Sequence, residues 1–188
     1  MARDYPAIDD HHREFIAAQH LFFVATAPSG PDGHVNVSPK GYDTFRVLGP
    51  NRVAYLDLTG SGVETIAHLH QNGRITIMFC AFEGRPKVLR LYGTGRTVYV
   101  GAPEFDALVG ADAPMPGLRA VIVVDVDLVR TSCGYAVPLM EFRAERETLV
   151  EWAERKGDDG IAAYWRDKNA RSVDGLVGIP DAATDPNA

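Results

Sequence analysis

The chain has 188 residues, with 19 Lys and Arg against 25 Asp and Glu, a formal charge of −6. One domain of ordinary size accounts for that length, and 46% hydrophobic beside 23% charged residues excludes a wholly disordered chain. The acidic balance excludes a protein that coats nucleic acid, which needs a basic surface, but leaves room for one basic pocket.

Asp9 or Asp10 caps a short first helix over 9–20, with Phe15, Ile16 and Gln19 in helical spacing. Leu21 to Ala27 is an aromatic and β-branched run that stops at Pro28-Ser29-Gly30-Pro31-Asp32-Gly33, a dense turn signal. His34 to Ser38 alternates polar and apolar residues, so the two runs form a hairpin. Arg52 to Leu58 is a third strand, and Thr59-Gly60-Ser61-Gly62 opens a helix from Val63 to about Gln71 that Asn72-Gly73 closes. Arg74 to Phe82 is a fourth strand and Glu83-Gly84-Arg85-Pro86 a turn. Lys87 to Val100 is a long fifth strand whose Gly93 and Gly95 mark a bulge or bend. A short helix over 103–109 and a loop over 111–117 lead to Leu118–Arg130, the most apolar strand and so a central one.

From Glu141 the pattern becomes helical to Gly157, with a second helix over 161–169 and a loose, polar, Pro-bearing tail over 180–188. Six strands with hairpin connections do not alternate as βαβ units. They predict a mainly β fold, an antiparallel barrel or strongly bent sheet with peripheral helices. The barrel takes residues 1–132, a helical extension 133–179, and the tail 180–188. Cys80 and Cys133 are too few for a disulfide framework or a Cys-rich zinc site, which predicts free thiols. No signal core opens the sequence, and the run around Ala120 to Val126 contains Asp125 and is too short to span a bilayer. A soluble, cytoplasmic protein is expected, with no nucleic-acid or membrane partner.

The turn Thr59-Gly60-Ser61-Gly62 has two readings. Free N–H groups and the dipole of a helix start make an anion site. Alternatively, Ser61 and Glu64 form a capping box that satisfies those donors internally. The glycines meet only half of the dinucleotide fingerprint, and no Lys follows them as a phosphate loop requires. Ser38-Pro39-Lys40-Gly41 ends the second strand with a cation that faces either solvent or a phosphate or electron-rich ring. On the strand from Lys87 to Gly93 both faces mix charge with apolar bulk. The six histidines have no metal spacing: His68 and His70 face different sides of a helix, and His11-His12 is placed in solvent.

These features in this order resemble the pyridoxamine 5′-phosphate oxidase-like family, over about Phe15 to Arg130. The resemblance implies a six-stranded antiparallel split β-barrel of the flavin-binding type and a homodimer holding FMN at the subunit interface. It places Asn36, Val37, Ser38, Pro39 and Lys40 beside the flavin ring. Tyr55, Asp57, Thr59, Ser61 and Thr65 fall near the ribityl and phosphate groups, and Lys87, Leu89 and Arg90 on the further cofactor strand. Where many relatives carry basic residues at the helix start, this chain has Gly62-Val63-Glu64. Neutralising a phosphate then falls to Lys40, Lys87, Arg90 or the partner chain.

The end of the chain is acidic, where pyridoxamine phosphate oxidases have a basic, aromatic segment, so a different small-molecule substrate is expected. The implied function is an FMN-dependent oxidoreductase with no assigned catalytic acid or base. A deazaflavin F420-dependent reductase and a non-enzymatic flavin- or haem-binding protein are the alternatives. Trp165, near Arg171, Ser172 and Asp174, is a candidate to cover the cofactor.

Overall fold

A computed structural model of the chain describes residues 2–110 and 115–180. Its elements are β1 (Arg3–Tyr5), α1 (Asp10–Ala17), β2 (Phe22–Thr26), β3 (Asn36–Lys40), β4 (Phe45–Gly49) and β5 (Arg52–Leu58). They continue with α2 (Glu64–Asn72), β6 (Arg74–Cys80), β7 (Val88–Tyr99), α3 (Phe105–Val109), β8 (Leu118–Ser132) and α4 (Thr148–Lys168). The sheet runs β3-β2-β6-β7-β8-β5-β4, with β1 added to β8, and every pairing is antiparallel.

The hydrogen-bonded path is open, with β3 and β4 at its two ends. The sheet bends enough to bring those ends together, since Lys40 of β3 bonds Asp57 of β5. This is the split barrel the sequence predicts, enlarged from six strands to eight. β1 and β4 are the additions. Each is short and lies beside a turn, at Pro6 and at Gly49-Pro50-Asn51, and each exists through a long partner strand already in place.

β8 is central, as its composition predicts, and it is buried on both faces from Leu118 to Val124. One face gives Ala120, Ile122 and Val124 to the barrel core, with Val24, Val53, Tyr55, Ile77, Leu89 and Leu91. The other gives Val121 and Val123 to a second cluster with Ala54, Leu56 and Val98, which α3 covers through Phe105 and Val109. Gly93 sits at a register shift between β7 and β8, where a built Cβ would lie 2.1 Å from the Asp125 carbonyl oxygen. Only glycine admits so close a strand. Gly73 caps α2 at φ +67°, the left-handed backbone the Asn-Gly pair predicts.

Two local expectations change. Residues 141–147 are not helical, and α4 begins at Thr148. Met140 N–H donates to the Phe82 carbonyl and Phe142 N–H to Glu83 Oε1, which lays this segment along the β6–β7 turn. α4 then kinks at Gly157, where the sequence places a helix end. His12 is buried, not in solvent: its ring joins a capping box with Asp9 and packs edge-on against Tyr5 at 4.6 Å. Loop residues 111–114 and tail residues 181–188 lie outside the described residues. No helix among the described residues is long and apolar enough to cross a membrane.

Candidate functional site

The alternation of β5 puts Tyr55 and Asp57 on the barrel side of the strand, at the end where α2 starts. Asp57 is fully buried. Lys40 Nζ donates to its Oδ1 at 2.8 Å and Arg119 Nε to its Oδ2 at 2.7 Å. Burial pushes the carboxyl up, but Arg119 and then Lys40 overcome it and hold Asp57 at about 2. Arg119 continues to Asn169 Oδ1 at 3.0 Å, and Asn169 Nδ2 donates to the Gly60 carbonyl at 3.0 Å. This chain of bonds runs from β3 through β5 and β8 to the end of α4 and back to the turn before α2.

The turn is braced on its other side as well. Thr59 donates its N–H and its hydroxyl to the Gly117 carbonyl, at 2.8 and 2.6 Å, and accepts from Trp165 Nε1 at 2.8 Å. Trp165 therefore fixes the turn from the α4 side. The capping box expected from Ser61 and Glu64 does not form. Val63 is the N-cap, buried against the core, with no side-chain cap, and Ser61 is exposed. Glu64 turns back over Gly62 and accepts from Val173 N–H through Oε1 at 3.2 Å. Burial of Val63 sets the helix start two residues beyond Ser61.

Above this turn lies a cavity of about 410 Å³, lined by Thr59, Gly60, Ser61, Arg146, Arg155, Trp152 and Tyr164 among others. A Cβ built on Gly60 meets no atom within 4 Å, so the backbone is open to it. Trp152 and Tyr164 pack edge to face at 5.0 Å and give it an aromatic wall. Arg146 and Arg155 supply the positive charge that the start of α2 lacks. Neither is singled out by the sequence, because both lie in a charged stretch that reads as an extension packed on the barrel or dimer.

The remaining predicted residues divide by strand face. Asn36 and Ser38 face the barrel end: Asn36 Nδ2 donates to Thr65 Oγ1 at 3.1 Å, and Ser38 Oγ to Asn36 Oδ1 at 3.1 Å. Thr26 extends this polar chain to His68 Nδ1 at 2.9 Å, and burial lowers the pKa of that imidazole. Val37 and Pro39 point outward and are exposed. The side chains of Tyr55 and Leu89 lie in the core, and His68 Nε2 is buried with no hydrogen-bond partner among the described residues. Lys87 Nζ sits over the Phe15 ring at 4.5 Å, and Arg90 donates to Ser132 at 3.2 Å. The fold thus gathers Lys40, Asp57, Thr59 and Ser61 around one turn and gives Lys87, Leu89 and Arg90 other partners.

The sequence model of the family described as Pyridoxamine 5′-phosphate oxidase matches residues 8–133 of this chain. The chain belongs to that family. It is 38% identical over 201 residues to the pyridoxamine 5′-phosphate oxidase family protein ustO of Aspergillus flavus, covering 96% of this chain and 79% of that protein. Among solved structures, HupZ of Group A Streptococcus is 27% identical, with a TM-score of 0.53 over 64% of this chain and 91% of that one. A pyridoxinephosphate oxidase family protein of Clostridium acetobutylicum, related to general stress protein 26, is 13% identical. It has a TM-score of 0.50 over 76% of this chain and 99% of its own, a likeness of fold alone. The match to the family model ends at Cys133, so Arg146, Trp152, Arg155 and Tyr164 lie beyond it, although the likeness to ustO extends over 96% of the chain.

Proposed function

We propose that this protein is a flavin-dependent oxidoreductase that holds FMN at the Thr59-Gly60-Ser61 turn and acts on a small molecule. The observation that carries this reading is the cavity above that turn, where an open backbone, two arginines and an aromatic wall meet. Such a donor set suits a flat ring system bearing a phosphate. A bound flavin supplies the redox chemistry, accepting or giving a hydride.

The protein's part is to hold and to exclude. Arg146 and Arg155 oppose the phosphate charge and outweigh Glu64, whose carboxylate is drawn off towards Val173. Asn169 and Trp165 fix the turn from behind, so its N–H groups need no reordering on binding. Trp152 and Tyr164 exclude water from one side. We further propose a homodimer: Val37 on the outward face of edge strand β3 and Val35 beside it are 61% and 71% exposed, a sheet edge suited to a second copy.

Fluorescence titration with FMN and with riboflavin tests the reading. FMN binds tighter than riboflavin, and Arg146→Ala with Arg155→Ala removes that difference while leaving riboflavin affinity nearly unchanged. Equal affinity for the two ligands in the unaltered protein refutes a phosphate site at the turn. Uptake of F420 without FMN refutes the choice of cofactor.

A further inference from the structure

A second cavity, of about 380 Å³, lies beside the first, and Tyr42 lines both. Its floor is aromatic. Phe22, Phe45 and Phe79 pack with centroids 5.0–5.7 Å apart, and Phe22 and Phe79 are almost fully buried. One wall is His20 stacked flat on Phe142, at 3.8 Å and 9°. That stack joins the end of α1 to the segment before α4.

The charges of the two cavities are opposite. Among the described residues, Arg146 and Arg155 line the first and no carboxylate does, though Glu151 stands 3.7 Å from Arg155 outside the lining. Asp43 and Glu145 line the second, and no lysine or arginine among the described residues does. Arg46 lies 3.2 Å from Asp43 and offsets part of its charge, which leaves the discrimination to Glu145. Glu145 reaches back over Gly41, where a built Cβ would stand 3.2 Å from its Oε2.

Tyr42 stands between the two cavities in a constrained pose. Its φ of 60° is the left-handed region that a bulky side chain rarely adopts. Its hydroxyl donates to the Arg146 carbonyl, so the turn after β3 and the segment that carries Glu145 and Arg146 are tied at one point.

We infer that the second cavity is a binding site for a small organic cation with a flat apolar body and no phosphate. The rings take the body, and Glu145 takes the positive end. Aromatic faces attract cations as well as apolar surface, whereas the Glu145 carboxylate at the rim repels a phosphate ester. That the bound cation is the substrate, presented across Tyr42 to the first cavity, rests on the flavin reading; the binding site does not.

Calorimetric titration with phenethylamine, its neutral counterpart 2-phenylethanol and phenyl phosphate tests this. The amine binds roughly tenfold tighter than the alcohol, a difference of about 1.4 kcal/mol, and phenyl phosphate binds weakest. Glu145→Gln brings the amine down towards the alcohol, and Phe142→Ala weakens both. No binding of any probe at millimolar concentration, or an amine preference that survives Glu145→Gln, overturns the inference. FMN affinity is measured on the same variants: Glu145→Gln leaves it unchanged, so failure here and failure of the flavin reading give different results.

Discussion

At the barrel end, Asp57 is fully buried and takes Lys40 on one oxygen and Arg119 on the other; on the segment laid across that end, Arg146 and Arg155 line an open cavity. Both regions hold charge beside the same turn, with different physical consequences. A buried carboxylate left without its cations, or cations without their carboxylate, is strongly destabilising, so the inner set is tied to the fold itself. Exposed arginines contribute little to stability, and the ion pair of Arg155 with Glu151, at 3.7 Å across an exposed helix turn, is loose enough to give way to an anion. The contrast explains how a chain with Glu64 at its helix start keeps a cationic site: the barrel spends Lys40 on structure, and the extension brings replacements.

The sharpest way to break this contrast is Asp57→Asn, which leaves Arg119 buried beside a neutral side chain. Chemical denaturation is expected to show a loss of about 3–5 kcal/mol; a loss under about 1 kcal/mol would make the inner network dispensable. Acid acts on the same group. The Asp57 carboxyl is held at about 2 in the fold against an ordinary value of 3.8. Its contribution of about 2 kcal/mol is therefore present above pH ~4 and disappears as pH falls towards 2.

Next in size is Asn169→Ala, which deprives Arg119 and the Gly60 carbonyl of a buried partner. A loss of about 1–3 kcal/mol is expected, together with weaker FMN binding, since the turn loses its brace. Arg155→Ala reverses the pattern: stability moves by less than about 0.5 kcal/mol, while FMN affinity falls roughly tenfold, as for a charge-assisted contact. Equal effects on stability and binding would erase the division between the two regions.

The smallest expected effect lies at a clasp on the surface. Asp174 accepts from His34 N–H at 2.8 Å and lies 2.6 Å from His34 Nδ1, which pins the loop after α4 to the β2–β3 turn. The hydrogen bond to Asp174 and its charge raise the His34 pKa above 6.5, and the bond from His34 lowers that of Asp174. The clasp is complete below pH ~6.5 and weakens as pH rises through the His34 value. Once exchange rates are divided by the intrinsic rate at each pH, the protection of amides in residues 170–178 should therefore fall as pH rises through the His34 value, and His34→Ala should remove that dependence.

Legibility followed the range of the interactions. The β2–β3 hairpin, the Gly73 cap, the bulge at Gly93 and the central place of β8 depend on neighbours in sequence or on a run of apolar residues, and all are present. The Ser61 cap failed because burial of Val63, a tertiary contact, outbid a local hydrogen bond. His12 is buried against expectation: an adjacent pair of histidines looks polar, although one of them faces Tyr5. Arg119 gives no signal at all: it is the one charge in the apolar stretch from Leu118 to Val124, and its partner lies 62 residues away.

By itself the sequence determined the periodicity of the strands, the turns that pair them and membership of the family, since each is written in short-range pattern. Which cations serve the fold and which face a ligand was decided only in three dimensions. Asn169 and Gly60 are 109 residues apart, and Arg146 and Arg155 reach the turn from beyond the stretch that the family model matches. Their roles follow from burial and partner, and neither exists until the sheet has bent and the extension has crossed its end.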